Sequence, residues 1–289
     1  MPGLGANVAG ASNTAFSYGL TMRIATWNVN SVRARLERIL TYLDSHQIDV
    51  LAMQETKVKD AAFPAEPFAA AGYELAHFGL DQWNGVAIAS RVGLSDVATS
   101  LPGQPTWANK TGGRVAEARA LGATCGGIRV WSLYIPHGRG LDDPHMTYKL
   151  AFLQALGDAA ADWLADDADA PVALLGDFNV APLDTDVWDM AVFDGATHVS
   201  PTERAAFQAL ASAGFREVSR EFIAEPHTYT FWDYQQLRFP LNQGMRIDFA
   251  YLSPVLADRV SAVGIRRDQR KGKGASDHVP IDLDLGAPS

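Results

Sequence analysis

Ile48-Asp49-Val50-Leu51-Ala52-Met53-Gln54-Glu55-Thr56-Lys57 is the stretch on which the reading of this chain turns. An apolar run of strand length passes directly into an amide, an acid, a hydroxyl and a lysine. The same arrangement recurs downstream. Val172-Ala173-Leu174-Leu175 ends in Gly176-Asp177-Phe178-Asn179, Arg246-Ile247-Asp248-Phe249-Ala250-Tyr251-Leu252 carries an acid inside its run, and Ser276-Asp277-His278 precedes Val279-Pro280-Ile281. A carboxylate beside a buried strand is costly to ionise unless it is paired or holds a metal. Several at strand ends point to one convergent polar site on a rigid sheet, the pattern of a metal-dependent hydrolase.

Outward from these runs, residues 22–29 read as a strand. Residues 33–46 read as a helix, with Leu36, Ile39, Leu40 and Leu43 at helical spacing. Residues 72–79 and 85–90 read as strands around a turn, and 114–124 and 128–135 as a hairpin across Cys125-Gly126-Gly127. A long helix is expected over 146–164 and another over 202–213 with Thr202 as its N-cap. Further strands are expected at 228–232, 247–252, 260–265 and 281–285. Strands outnumber helices and most neighbours are close in sequence, which favours an α/β architecture of two packed mixed sheets with helices outside. No fixed-period repeat and no Pro- or Ser-rich linker interrupts residues 22–289, which are expected to form one domain.

The chain has 289 residues, 47% hydrophobic and 20% charged, ordinary proportions for a globular protein. Its one cysteine, Cys125, excludes an intrachain disulfide, fits a reducing compartment and reads as a structural thiol. No apolar stretch reaches the roughly 18 residues of a membrane span. Residues 1–21, rich in Gly, Ala, Ser and Asn, lack the basic start and apolar core of a signal peptide and read as a disordered extension, with Met22 a candidate start. A cytoplasmic, nucleoid-associated monomer is expected. The net charge of −9 argues mildly against a nucleic-acid binder. Locally, however, Arg266, Arg267, Arg270, Lys271 and Lys273 form a basic run beside Asp277-His278, which favours phosphate binding over a solvated loop. Dinucleotide, P-loop, His-Glu-x-x-His and Cys-x-x-Cys motifs are absent, which argues against Rossmann, kinase-like and zinc chemistry.

Taken singly, the chemical motifs have bland alternatives. Glu55 alone reads as a loop residue as readily as a ligand for a hard cation. Asp177 and Asn179 share a face if the segment is extended, and otherwise build a turn. His278 can act as a base when neutral or stabilise phosphate charge when protonated. Asp248, inside an apolar strand, needs a partner such as a histidine. Asn28 and Asn30 form a loop or meet phosphate and metal.

In chain order they form a constellation: Trp27-Asn28-Val29-Asn30, Gln54-Glu55-Thr56-Lys57, Tyr134-Ile135-Pro136, Gly176-Asp177-Phe178-Asn179, Arg246-Ile247-Asp248 and Ser276-Asp277-His278. Here the chain resembles the endonuclease/exonuclease/phosphatase superfamily, and more narrowly the exonuclease III branch of the apurinic/apyrimidinic endonucleases. Asp49-Val50-Leu51-Ala52-Met53-Gln54-Glu55-Thr56-Lys57 is similar to that branch's glutamate motif, and Asn242-Gln243-Gly244-Met245-Arg246-Ile247-Asp248 to its late aspartate motif.

The resemblance implies a four-layer α/β sandwich with its site at one end of two sheets. It implies a Mg²⁺ or Mn²⁺ ion held by Glu55, with Asn28, Asn30, Asp177, Asn179, Asp277 and His278 around it. Asp177 would align or activate water and Asn179 would orient Asp177. His278, paired with Asp248, and Tyr134 would meet the scissile phosphate. The implied reaction cuts DNA 5′ to abasic sites and clears blocked 3′ ends. Arg33, Arg35, Arg139, Arg246 and the basic run are expected on the DNA backbone. Phe231 and Met245 are expected to line a pocket for an extruded baseless sugar, and Trp232 is expected in the core.

The chain departs from relatives at Asn30, where some carry Asp, and at His137, where Asn or Gln is usual. The nearest rival reading is another phosphoesterase on the same scaffold, such as an RNA-trimming nuclease or an inositol-phosphate phosphatase. A scaffold protein without activity is disfavoured because no central residue is missing. Gln236-Leu237-Arg238-Phe239-Pro240 loosely resembles sliding-clamp-binding peptides, and a loop bordering the pocket is the preferred reading.

Overall fold

A computed structural model describes residues 21–108 and 112–287, so the extension expected over residues 1–21 lies, but for Thr21, outside the described residues. In chain order the strands are β1 (Met22–Asn28), β2 (Val50–Gln54), β3 (Glu74–Phe78), β4 (Val86–Ser90), β5 (Ser95–Ala98), β6 (Trp107–Ala108), β7 (Arg114–Val115), β8 (Ala120–Cys125), β9 (Ile128–Tyr134), β10 (Val172–Asp177), β11 (Arg216–Glu217), β12 (Asp248–Leu252), β13 (Val260–Ile265) and β14 (Ile281–Leu285). The α-helices are α1 (Val32–Ser45), α2 (Ala65–Ala70), α3 (Pro144–Asp166), α4 (Pro201–Ser212), α5 (Val218–Phe222) and α6 (Pro254–Ala257).

Two six-stranded sheets, ordered β13-β14-β1-β2-β4-β3 and β11-β12-β10-β9-β8-β5, form the centre. Each is antiparallel except for one inner parallel pair, β1 with β2 and β9 with β10. A parallel pair requires a crossover, supplied by α1 in one sheet and α3 in the other. Register then sets the site: Asn28 lies opposite Gln54, and Asp177 lies between Tyr134 and Asp248. The carboxyl ends of both parallel pairs therefore carry the polar residues.

The inner strands read as continuous apolar runs because both faces are covered. In β1, Ile24 faces the inner core with Val50, Ile88, Leu121, Val130, Leu175 and Ala250. Ala25 and Trp27 face outward onto Ile39, Tyr42 and Leu43 of α1. The second sheet packs its outer face on Phe152, Leu153, Leu156, Phe207 and Leu210 of α3 and α4. The order is helix, sheet, sheet, helix, and each fully buried Leu, Ile or Phe contributes about 1.5–3 kcal/mol. Polar links also join the sheets just below the site. Thr26 Oγ1 donates to Gln54 Oε1 (3.2 Å), Gln54 Nε2 to Ser132 Oγ (2.9 Å), and Ser132 Oγ to the Met53 carbonyl (2.9 Å).

Several sequence expectations are corrected. The N-cap of α4 is Ser200, not Thr202: Ser200 Oγ accepts from Glu203 N and Glu203 Oε2 accepts from Ser200 N, a reciprocal box. Residues 228–232 form no strand, and Phe231 makes only isolated bridges to Met245 and His278. The strand expected over 114–124 is broken, with β7 pairing separately with β6. Among the described residues no helix is long and apolar enough to cross a membrane.

Candidate active site

The loops leaving the parallel strands hold their functional residues in a strained backbone. Asn30 (φ 44°), Glu55 (φ 52°), Lys57 (φ 52°) and Asn179 (φ 52°) all lie in the left-handed region, which asparagine tolerates and which strains Glu55 and Lys57. Thr56, between Glu55 and Lys57, is pinned by a 2.8 Å contact of Oγ1 with His77 Nε2. Gly85 leaves room for it, since a Cβ there would stand 2.1 Å from Thr56 Oγ1. Gly176, just before Asp177, lets β10 approach β9, where a Cβ would stand 1.9 Å from the Leu133 carbonyl oxygen.

At the centre, Asn28 Nδ2 donates to Glu55 Oε1 (2.8 Å) and Asp177 Oδ2 (2.9 Å), bracketing two carboxylates from the two sheets. Lys57 Nζ lies 2.7 Å from Glu55 Oε2. Burial opposes the Glu55 charge, but Lys57 and Asn28 outweigh it and hold the carboxyl below its ordinary range. Burial, with Asp248 and Glu55 nearby, pushes Asp177 up to about 7 despite the opposing pull of His278. His278 Nδ1 stands 2.8 Å from Asp248 Oδ2, and its Nε2 stands 3.7 Å from Asp177 Oδ2. Burial disfavours the imidazolium, yet Asp248 and Asp177 push it up to about 10. Burial and then the Glu55 charge hold the Tyr134 hydroxyl protonated, while the Arg119 guanidinium stacks 4.8 Å over its ring. Trp27 Nε1 donates to the His278 carbonyl and Ser276 Oγ to the Asn28 carbonyl, tying the segment before β14 to β1.

Glu55, Asp177 and His278 offer ligand atoms within 4.8 Å of one another. A hard divalent cation takes oxygen ligands, and two carboxylates fit it. Asp248 Oδ1 is buried with no hydrogen-bond partner, while its Oδ2 meets His278 Nδ1. The other residues expected around the cation lie about this group. Asn28 turns its nitrogen to the carboxylates and its Oδ1 to Asn30 N (3.0 Å). Asp277 Oδ1 accepts from Asn30 Nδ2 (2.9 Å) and stands outside the group.

Of the two readings of Asp177-Phe178-Asn179, extended or turn, the structure shows the turn. The Asn179 backbone N–H, not its amide, donates to Asp177 Oδ1 (2.9 Å), and Nδ2 donates to the Ile135 carbonyl (3.0 Å).

At the rim, the Phe231 ring is tilted 4.9 Å from His278, and Met245 is bonded backbone to backbone with Phe231. Trp232 is buried. Arg33 and Arg139 are exposed, and Arg35 donates to the Asn30 carbonyl and Tyr234 Oη. Arg246 is not brought to this surface. It is wholly buried and donates to the Ile223 carbonyl and Ser219 Oγ, so its expected backbone contact is replaced by a structural role. In the basic run Arg266 is paired with Asp282, and Arg267 stacks 4.4 Å over Phe239. Lys271 and Lys273 stay exposed. In the clamp-like segment Phe239 packs edge-on to Trp232 at 5.2 Å, while Leu237 is exposed.

Sequence reasoning missed Lys149, Glu203 and His198 beside the site. Lys149 had a visible signal: it stands on the apolar stripe of α3 with Phe152, Leu153 and Leu156.

A four-layer sandwich with paired carboxylates and an Asp–His dyad at its sheet ends defines a phosphoester hydrolase of the metal-assisted class. The chain belongs to the endonuclease/exonuclease/phosphatase family, whose pattern matches residues 25–278. It is 30% identical to exodeoxyribonuclease III of Haemophilus influenzae over 272 residues, covering 90% of this chain and 98% of the relative. An AP endonuclease from Archaeoglobus fulgidus superposes with a TM-score of 0.83 at 31% identity, covering 91% of this chain and 99% of that one. The 3′ phosphatase NExo from Neisseria, solved with a product DNA hairpin, gives 0.84 at 33% identity, covering 91% and 99%.

Proposed function

We propose that this protein is a Mg²⁺- or Mn²⁺-dependent DNA-repair nuclease. One centre hydrolyses the phosphodiester 5′ to abasic sites and removes terminal nucleotides or blocking phosphates from 3′ ends. The observation that carries the reading is the line Asp248–His278–Asp177, with Glu55 joined to Asp177 through Asn28.

Each task breaks the bond between phosphorus and a 3′-side oxygen. Glu55 and Asp177 would hold the cation, which when bound withdraws charge from a phosphate oxygen. Asp177, buried between Asn28 and His278, would orient the attacking water and take its proton. The His278 imidazolium, oriented by Asp248, offers its Nε2 proton to a phosphate oxygen as charge develops. Tyr134, kept protonated, offers a second donor. Phe231 and Met245 stand beside His278 and would meet an extruded baseless sugar. Arg33, Arg35 and Arg139 supply backbone contacts, which position DNA without reading its sequence. We place the work at DNA in the cytoplasm, performed by a monomer.

The test offers an abasic duplex, a 3′-phosphate nick, an RNA strand and an inositol phosphate side by side, with Mg²⁺ or EDTA. The reading expects metal-dependent hydrolysis of the DNA substrates to dominate. Preferential hydrolysis of the inositol phosphate or RNA transfers the site to the rival phosphoesterase reading.

A further inference from the structure

Beneath the site, Lys149 of α3 and Glu203 of α4 form an ion pair with both side chains wholly buried. A buried pair of this kind is often no more stabilising than apolar packing of the same volume, so stability alone is a weak account of it. Its contacts give another. Lys149 Nζ donates to Glu203 Oε1, to the Asn179 carbonyl (2.6 Å) and to the His137 carbonyl (3.1 Å), with Thr197 Oγ1 3.4 Å away. Asn179 and His137 lie on the loops leaving β10 and β9, the strands that carry Asp177 and Tyr134. Glu203 braces the far side by accepting from Thr197 Oγ1 (2.8 Å), His198 N (2.9 Å) and Ser200 N (3.2 Å). His198 Nδ1 makes a further 2.6 Å contact with the Asn179 carbonyl.

The left-handed Asn179 backbone (φ 52°) is where this matters. Asparagine visits that conformation more readily than most residues with a Cβ, and the ammonium sets the direction of its carbonyl. With its carbonyl turned onto the ammonium, Asn179 points its N–H at Asp177 Oδ1 and its Nδ2 at the Ile135 carbonyl.

We propose that Lys149, with Glu203 as its counter-charge, is a positioning residue for phosphoester hydrolysis. Its ammonium clamps the Asn179 and His137 carbonyls together and thereby fixes the Asp177 carboxylate through the Asn179 N–H. The link to turnover rests on the function proposed above; the link to the Asn179 backbone does not.

Two double variants test it. Lys149→Met with Glu203→Gln removes both charges at once and leaves no lone buried ion. Lys149→Gln with Glu203→Gln removes the same charges but keeps N–H donors aimed at the carbonyls. Turnover on nicked or abasic duplex and hydrogen exchange over residues 177–181 are compared with wild type. The Met version is expected to lose about 10–100-fold in kcat, as orienting partners typically do, with KM for DNA unchanged and faster exchange at Asn179. The Gln version is expected to recover most of both. Equal losses in the two versions, a loss confined to KM, or unchanged exchange at Asn179 in a folded Met version overturns the proposal. If wild type hydrolyses no DNA, the functional reading fails, and exchange still decides the clamp.

Discussion

His278 Nε2 stands 3.7 Å from Asp177 Oδ2, and the two groups have opposite proton requirements. The carboxyl must lose its proton to act on water and the imidazole must keep its own to meet phosphate. Asp177 is raised to about 7 and His278 to about 10, so kcat/KM is expected to rise as Asp177 ionises and to fall as His278 deprotonates. A bound cation opposes protonation of Asp177 and moves the acid limb lower. His278→Gln is expected to lose about 10²–10³-fold and to erase the alkaline limb. A pH profile that keeps that limb in the variant removes His278 from the role.

Asp177→Asn separates function from stability. Turnover should nearly vanish while DNA binding, read by fluorescence anisotropy, persists. The folded-state carboxyl is raised from 3.8 to about 7, so its stability contribution is present below its unfolded value and lost as pH rises through the folded one. Metal-free Asp177→Asn should therefore melt above wild type at alkaline pH, with the gap closing in acid. Identical melting curves across that range would contradict the burial argument.

Glu55 is held ionised by Lys57 and Asn28. Glu55→Ala is expected to raise the half-saturating Mg²⁺ concentration by about 10–100-fold. Full activity at wild-type metal levels would remove Glu55 from the cation site.

Two arginines are expected to behave in contrasting ways. Arg139 is exposed, and Arg139→Ala should leave Tm unchanged while lowering the salt slope of DNA binding by about one. Arg246 is buried, and Arg246→Met should leave the slope unchanged while costing about 1–3 kcal/mol for the acceptors left without a donor. A binding titration at several salt concentrations, with a melt of each variant, checks both. A flat salt response in wild type counts against DNA as substrate.

What could be read from the sequence follows burial. β1, β2 and β10 read clearly because both faces are covered and their apolar runs are unbroken. The edge strand β5, Ser95–Ala98, is mostly exposed and polar, and carried no such signal. Residues 228–232 had strand composition but found no ladder, because Phe231 is used as a single bridge between Met245 and His278. The Ser200-Pro201-Thr202-Glu203 order did contain the capping-box signature, which marks Ser200 rather than Thr202. At the site, residue types were legible and backbone conformation was not. Nothing in Asp177-Phe178-Asn179 announces a left-handed Asn179 whose N–H, not its amide, reaches Asp177. Arg246 looked like a backbone contact because a lone arginine in a motif carries no mark of burial.

The central claim is that one centre breaks the bond between phosphorus and a 3′-side oxygen of DNA. Its most direct test incubates wild type and Asp177→Asn with end-labelled duplexes carrying one abasic analogue or one 3′-phosphate nick, in Mg²⁺ or EDTA. The account predicts that wild type with Mg²⁺ alone generates new 3′-hydroxyl ends, by incision 5′ to the lesion and by release of phosphate at the nick. Folded wild type that leaves both duplexes intact, or Asp177→Asn that processes them as fast, would contradict it.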